Sequence, residues 1–267
     1  MEDNEIKEFI KKIEIESSYK KIVKSDIIYQ LLDVLKCNCT KLNYENKIHS
    51  AFDMAMRFYK EYNEKYYRII MNGIENERII FSKNEGKSFV NTESGIACIR
   101  LNENDSDLFI IVHELAHYID RNSNPKIVPD EYWPFSEIFS FYIEKRLELW
   151  LDSKEYKNLI STRRNNRIYY ESKMLKVVEA QLFYEQLYKE KGTISKSDID
   201  FEKIKLIKSH NESNLVNYLL QYPFANIVSS YLIQHYVCIN DDEFVPICLN
   251  IDLYEILRKH SNKKLYL

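Results

Sequence analysis

Apolar residues return every three or four positions along most of the chain, which is the spacing of amphipathic helices. The first two such segments have apolar positions at Ile6, Phe9, Ile10 and Ile13, and at Ile27, Ile28, Leu31, Leu32 and Leu35. A third helix is predicted at about residues 46–62. We therefore predict an N-terminal helical region over residues 1–65 and a second part over residues 66–267, which together form one continuous compact unit.

The pattern changes near residue 66, where short segments rich in β-forming residues replace the helical spacing. Residues 66–71 and 78–81 flank the turn signal Asn72-Gly73, which predicts a hairpin. Residues 87–90 and 96–101 are two further candidate strands. The pattern therefore predicts one small sheet of three or four strands, antiparallel or mixed.

Helical spacing resumes after this sheet. Asp105, Ser106 or Asp107 would cap a helix to about residue 121, and after a loop Pro134 fits the first turn of a helix to about residue 151. Further helices are predicted near residues 155–190, 198–210, 212–220, 224–238 and 249–257. The predicted fold class is therefore mainly α, in an α+β arrangement with the small sheet beside the helix that ends near residue 121.

Charge and hydropathy exclude two classes of partner. The 267 residues carry a net charge of −3, and basic and acidic side chains are mixed along the chain. No basic face for nucleic acid is predicted, and we interpret the one basic run, residues 163–167, as a solvated helix end or loop. No apolar stretch approaches the roughly twenty residues of a membrane span, so no membrane partner is predicted. The pattern does not indicate an oligomeric state.

The cysteines indicate a cellular compartment. There are 5 of them, an odd number without the paired spacing of a metal or redox motif. A chain of this length can build a core without disulfides, which favours a reducing compartment. The first residues show no signal-peptide apolar region. We therefore predict a cytoplasmic protein.

The segment His113-Glu114-Leu115-Ala116-His117 carries the clearest candidate chemistry. Two histidines four residues apart on a helix project from one face, one turn apart, and can bind one metal ion. Glu114 can then reach a metal-bound water molecule and take its proton. Because the flanking residues are apolar, as in a buried helix, we predict a site for one zinc ion.

Zinc in a catalytic site takes a third protein ligand and leaves one position for water. Glu137 lies twenty residues after His117, and an antiparallel second helix would bring its carboxylate over the two imidazoles. The alternatives are Asp130 and Glu131 in the intervening loop. Asp120, one turn after His117, is expected to hydrogen-bond an imidazole or a nearby backbone group.

These motifs resemble those of the thimet oligopeptidase and oligoendopeptidase F family of zinc peptidases, over about residues 85–240. That family follows its HExxH helix with E-x-x-S-x-x-x-E, whose first Glu is the third metal ligand, and residues 137–144 here have this form. Two later segments resemble the family as well: Val178-Glu179-Ala180-Gln181-Leu182-Phe183-Tyr184-Glu185 followed by Gly192-Thr193, and Tyr222-Pro223-Phe224-Ala225-Asn226. The resemblance implies a helical metallopeptidase, with residues 66–267 as a zincin-like catalytic domain and Ser140 close behind the metal ligands.

The resemblance also implies an oxyanion-stabilising side chain and a substrate-binding strand. The family places a His and a Tyr near the Pro-Phe segment, the position of that His holds Tyr218 here, and the candidate donors are Tyr218, Tyr222 and Tyr231. Residues 95–101 would form a sheet edge beside the metal, and the positions expected to bind an extended substrate are Gly95, Ala97 and Ile99.

Together these residues predict a metalloendopeptidase that hydrolyses peptide bonds, with oligopeptides as the expected substrates. Glu114 would take a proton from the attacking water and return it to the leaving amine. Two alternatives stay open. The chain is far shorter than the usual family member, which also fits a dedicated protease for one protein partner. The missing oxyanion His fits a catalytically silent zinc-binding interaction protein.

Overall fold

The structure is a computed structural model that describes residues 3–19, 29–30, 39–44, 49–83, 88–91, 94–123, 136–210, 212, 214–236, 239, 244, 247–248, 251–252 and 255–256. Several predictions from the sequence lie outside these residues. They are most of the helix around residues 27–35, the loop after Ser123 with Asp130 and Glu131, Pro134, and most of the helix at residues 249–257.

Within the described residues the chain forms eight α-helices and one sheet of three strands, so the mainly helical fold with a small sheet is confirmed. The helices are α1 (Asp3–Ser18), α2 (Ala51–Tyr62), α3 (Glu64–Glu75), α4 (Ser106–Ser123), α5 (Ser136–Ser153), α6 (Lys157–Lys191), α7 (Phe201–Lys208) and α8 (Leu215–His235). The strands are β1 (Ile79–Ser82), β2 (Phe89–Val90) and β3 (Ala97–Arg100).

The sheet is mixed, with β3 at its centre. The strand order is β1-β3-β2, and β3 runs parallel to β1 and antiparallel to β2. Side chains alternate between the two faces of a strand, and those of Ala97 and Ile99 on β3 are fully buried. Since β2 and β3 both contact α4, the sheet lies beside the helix that carries the two histidines.

The predicted hairpin is wrong, because its first strand is the helix α3. Asn63 caps this helix, and its side chain accepts hydrogen bonds from the backbone N–H groups of the first turn. Tyr66, Ile70 and Gly73 recur at helical spacing and form the buried face. Gly73 allows close packing, since a Cβ added to it would lie 2.6 Å from Oη of Tyr118 on α4. Helix packing therefore overrides the local preference for β structure.

The two helices predicted on either side of residues 221–223 are a single helix, α8, with Pro223 inside it. A proline in a helix interior removes one backbone hydrogen bond, which usually bends or ends the helix. Here the residues around Pro223 are buried, and α8 packs extensively against α5 and α6. Packing against the neighbouring helices thus keeps α8 continuous across Pro223.

The helix α4 lies at the centre of the packing, in contact with α2, α3, α5 and the sheet. Its apolar residues are fully buried, and they include Phe109, Ile111, Val112, Leu115 and Ala116. The fully buried Tyr59 of α2 donates a hydrogen bond of 2.7 Å to the carbonyl of Val112. Packing on several sides gives α4 a fixed position, which a metal-binding helix requires.

The helices α1 and α8 are joined directly. Glu16 of α1 is buried, and its two carboxylate oxygens accept hydrogen bonds from the backbone N–H groups of Asn214 and Leu215, at 2.9 and 2.8 Å. These donors lie at the N-terminus of α8, where a negative charge is favourable. Phe9 of α1 also packs edge-on against Tyr184 of α6. The division of the chain at residue 65 stays a prediction.

Candidate metal centre

Three of the predicted ligands converge on one point. His113 and His117 lie one turn apart on α4, and their Nε2 atoms are 3.1 Å apart. Glu137, in the first turn of α5, places Oε2 at 3.2 Å from Nε2 of His113 and 3.5 Å from Nε2 of His117. Within the described part of the chain, these three residues are the one group of His, Cys, Asp and Glu side chains that could hold a metal ion.

The shape of this triangle fits a metal ion. A tetrahedral ion with bonds of about 2.0–2.1 Å holds its ligand atoms about 3.3–3.4 Å apart, close to the three observed distances. Oε2 of Glu137 is also buried and makes no well-aligned hydrogen bond to any described residue. Its nearest partners are the two imidazole nitrogens, and a cation bound between the three atoms would satisfy the buried oxygen more fully.

The electrostatics of the protein groups at this point favour a cation. Burial opposes a charge on His113, but the carboxylates of Glu137 and Glu144 outweigh this effect and raise its pKa to about 10. Burial would raise the pKa of Glu137, yet the neighbouring His117 and His113 hold it well below its ordinary value. The raised pKa of His113 and the lowered pKa of Glu137 both indicate that positive charge is stabilised between the imidazoles and the carboxylates.

Glu144 orients the first histidine, and the sequence analysis did not assign it this role. Its Oε1 lies 2.7 Å from Nδ1 of His113. Burial would raise the pKa of Glu144, but Arg163 and Arg167 hold it well below its ordinary value, so the carboxylate is ionised and accepts. Nδ1 of His113 therefore donates, and Nε2 faces the point of convergence. The available signal was the seven-residue spacing from Glu137, which places both carboxylates on one face of α5.

The structure places both residues that were predicted to support the ligands, Asp120 and Ser140. Asp120 is half-buried near the end of α4, and its charge adds to the burial that raises the pKa of the Cys248 thiol to about 12. Ser140 is fully buried one turn after Glu137, but its Oγ makes no hydrogen bond to any described residue. Glu144 thus supports His113 through Nδ1, and the hydrogen bond predicted for Asp120 stays a prediction.

Glu114 is half-buried beside the two histidines. Burial raises the pKa of its carboxyl group, and the neighbouring His113 and His117 partly oppose this effect. The charges of Glu137 and Glu144 raise it further. A raised pKa brings a carboxylate towards the range in which it both accepts and returns a proton near neutral pH. The position and the environment of Glu114 thus fit a general base.

The structure separates the three candidate tyrosines. Tyr222 of α8 lies close enough to Glu137 and Glu114 for their charges to raise its pKa, although burial is the largest cause. Its ring packs edge-on against that of Tyr218, one turn earlier, with centroids 6.0 Å apart. Tyr231 lies nine residues after Tyr222, on the opposite face of the helix, and stacks on His235 with ring centroids 4.1 Å apart. Tyr222 is therefore the tyrosine that α8 presents to the site, with Tyr218 behind it.

The predicted substrate strand is wrong as an edge strand. Strand β3 lies between β1 and β2, and its backbone pairs with both of them. The residues Ala97 and Ile99 pair with β1, and their side chains have no exposed surface. The N–H of Gly95 donates to the carbonyl of Asn91 in the turn before β3. Ala97 is paired on both sides and cannot receive an extended peptide, and among the described strands β1 and β2 form the edges.

The basic run at residues 163–167 is not a solvated helix end. It lies inside α6, where the Arg163 side chain is 20% exposed and the Arg167 side chain is 7% exposed. Both guanidinium groups contact the carboxylate of Glu144, while Arg164 pairs with Glu148. The interpretation from the sequence failed because the spacing of the run places two of its arginines on the buried face of a helix.

Comparisons with known proteins identify no relative. No protein-family model, no curated protein and no solved structure matches this chain. Among the described residues, no helix has an apolar stretch long enough to cross a membrane.

Proposed function

We propose that this protein is a zinc-dependent metalloendopeptidase that cleaves peptide bonds, with oligopeptides as substrates. The observation that carries the proposal is the convergence of His113, His117 and Glu137, with Glu114 beside them. Two imidazoles and one carboxylate are the ligand set of one class of catalytic zinc site, which keeps a further position open. A purely structural zinc site needs four protein ligands and has no use for an adjacent carboxylate of raised pKa.

Each residue of the site has a role in peptide hydrolysis. A zinc ion held here would supply a Lewis acid that polarises the scissile carbonyl and lowers the pKa of a water molecule. Glu114 takes a proton from the attacking water while the new C–O bond forms. It then donates this proton to the amine nitrogen as the C–N bond breaks, so the carboxylate returns to its starting state.

Stabilisation of the oxyanion is assigned to Tyr222. Burial and its neighbours raise the pKa of Tyr222, so its phenol stays protonated and can donate a hydrogen bond. A donor aimed at the developing oxyanion is worth about 2.7–4 kcal/mol in known enzymes. The resemblance of residues 85–240 to the thimet oligopeptidase and oligoendopeptidase F family also supports peptide hydrolysis.

The test is a digest of a diverse pool of unstructured peptides, read by mass spectrometry. Zinc-loaded wild-type protein is compared with Glu114→Gln, and Glu8→Gln on the exposed face of α1 is the matched control. Cleavage should be lost in Glu114→Gln, retained in Glu8→Gln, and accompanied by equal zinc content in all three proteins. If Glu114→Gln cleaves as wild type does, the assignment of the base is wrong. If wild-type protein binds zinc but cleaves no peptide, a binding role replaces the peptidase.

A further inference from the structure

We infer that Arg163 and Arg167 form an arginine clamp, the pair of α6 side chains that holds Glu144, and that this clamp positions His113 for the metal. The inference rests on the proposed zinc site, but it does not depend on peptide cleavage. Neither arginine contacts a ligand atom, so both are positioning residues. This role would explain why the basic run at residues 163–167 lies inside α6 with two of its arginines buried.

The two oxygens of the Glu144 carboxylate have different partners: one contacts His113 and the other contacts the two arginines. Oε1 lies 2.7 Å from Nδ1 of His113. Oε2 accepts from Nη2 and Nε of Arg163 at 2.6 and 3.2 Å, and from Nη2 of Arg167. Because each oxygen has its own partners, the carboxylate cannot rotate without breaking several charge-assisted hydrogen bonds. The carboxylate therefore holds the imidazole of His113 in one orientation through Nδ1, the nitrogen that faces away from the metal position.

Aromatic rings fix the two guanidinium groups in turn. Arg163 lies over the ring of Phe109, with 5.1 Å from its guanidinium carbon to the ring centroid, and Arg167 lies over Phe141 at 4.3 Å. The ring of Phe141 also contacts His113, with centroids 5.5 Å apart. Stacked arginines lose fewer conformations when they form hydrogen bonds, which makes them precise supports. The clamp thus belongs to the same packed unit as the imidazole that it orients.

A purely stabilising role explains the clamp less well. One arginine would neutralise Glu144, and a buried ion pair is weak evidence for stability. Here two cations meet one carboxylate whose side chain is 1% exposed. Nη1 of Arg167 is buried and makes no hydrogen bond to any described residue, which costs stability. Such an arrangement is typical of functional sites, where position takes precedence over stability.

The test measures zinc affinity by chelator competition in the full-length protein. Arg163→Met and Arg167→Met are each expected to weaken zinc binding by about 10- to 100-fold, as loss of support behind a ligating histidine does. Arg164→Met is the matched control, because Arg164 is adjacent in sequence but pairs with Glu148. It should leave the zinc Kd unchanged. The cobalt-substituted proteins should show altered visible spectra only in the two clamp variants.

A double-mutant cycle separates positioning from general stability. If the arginines act through Glu144, Arg163→Met should cause no further loss of zinc affinity in a Glu144→Gln background. Additive losses would overturn the inference, and so would a wild-type zinc Kd in folded Arg163→Met and Arg167→Met proteins. Equal losses in Arg164→Met would also overturn it.

Lysine variants decide the question if the methionine variants do not fold. Arg163→Lys and Arg167→Lys keep the charge but lose the planar fork and much of the stacking. Weakened zinc binding with an altered cobalt spectrum supports positioning, whereas wild-type affinity and spectrum in both variants overturn it. Failure of wild-type protein to bind zinc would overturn the metal site and the clamp together. If the protein cleaves no peptide but the double-mutant cycle shows that Arg163 and Glu144 act together on zinc affinity, only the proposed peptidase activity is overturned.

Discussion

Replacing Tyr222 by Phe removes one hydroxyl from the site and leaves the ring that packs between α8 and its neighbours. We expect kcat to fall by about 100- to 1,000-fold with little change in KM, because the hydrogen bond to the oxyanion exists only in the transition state. Burial and the charges of Glu137 and Glu114 raise the pKa of Tyr222, so the phenol stays a donor through the neutral range. The loss should therefore be similar at every pH from 6 to about 8.

The chain contains a matched control for this substitution. Tyr231 lies nine residues further along α8, which is about 14 Å along the helix axis and half a turn away from Tyr222. Tyr231→Phe removes the same hydroxyl from the same helix and should leave kcat within about twofold of wild type. Tyr218→Phe, which changes the ring packed against Tyr222, should have an intermediate effect.

The assay is steady-state cleavage of an internally quenched fluorescent peptide that carries a site found in the peptide digest. Zinc content is measured on the same samples, so that a loss of metal is not mistaken for a loss of oxyanion stabilisation. Equal activities of Tyr222→Phe and wild type would refute the assignment. A Tyr231→Phe variant as impaired as Tyr222→Phe would refute the geometric reasoning behind it.

Three further predictions concern metal binding and stability. Free zinc at 100 times its Kd should stabilise the protein by about 2.7 kcal/mol, seen as a higher Tm that EDTA reverses, and His117→Ala should abolish the shift. Gly73→Ala should destabilise the fold by about 1–2 kcal/mol in urea unfolding. The added methyl group would lie 2.6 Å from Tyr118, and the cost of this overpacking exceeds the gain of about 1 kcal/mol in helix propensity. A more stable variant would contradict this prediction. Burial raises the pKa of Cys248 from an ordinary 9 to about 12, so the stability that the neutral thiol contributes is full below pH 9 and is lost as pH rises to about 12. The stability difference between wild type and Cys248→Ala should therefore shrink over that range, and a constant difference would argue against a buried thiol.

The metal triad could be predicted because it depends on local spacing. His113 and His117 share one helical turn, and any helix through them presents both imidazoles on one side. Glu137 required one further step, the antiparallel return of the next helix, and in the structure α5 places Glu137 beside His117 and Glu144 beside His113. These predictions needed almost no knowledge of the rest of the fold.

Glu144 had a signal in its seven-residue spacing from Glu137, but the partners of the supporting residues lie on other helices and could not be predicted. Glu144 becomes a support for His113 only when α5 packs on α4, and Arg163 reaches it only when α6 packs beside both helices. The hairpin failed for a related reason, since the helical repeat of Tyr66 and Ile70 competed with their local preference for strands. The prediction that β3 is an edge strand was wrong because strand order depends on which segments pair. The spacing of apolar residues along the sequence does not show this pairing.

The contact between Glu16 and the start of α8 has a consequence for the order of folding. The carboxylate and the backbone N–H of Asn214 are separated by 198 positions in the chain. At about 5–20 residues per second, a ribosome delivers the two groups about 10–40 s apart. During synthesis, α1 is therefore complete long before the donors that Glu16 binds, and Tyr184 of α6, on which Phe9 packs, is made before those donors. We expect the end of α1 around Glu16 to gain native protection from hydrogen exchange only after the start of α8 has been released, which makes this contact a late step in folding.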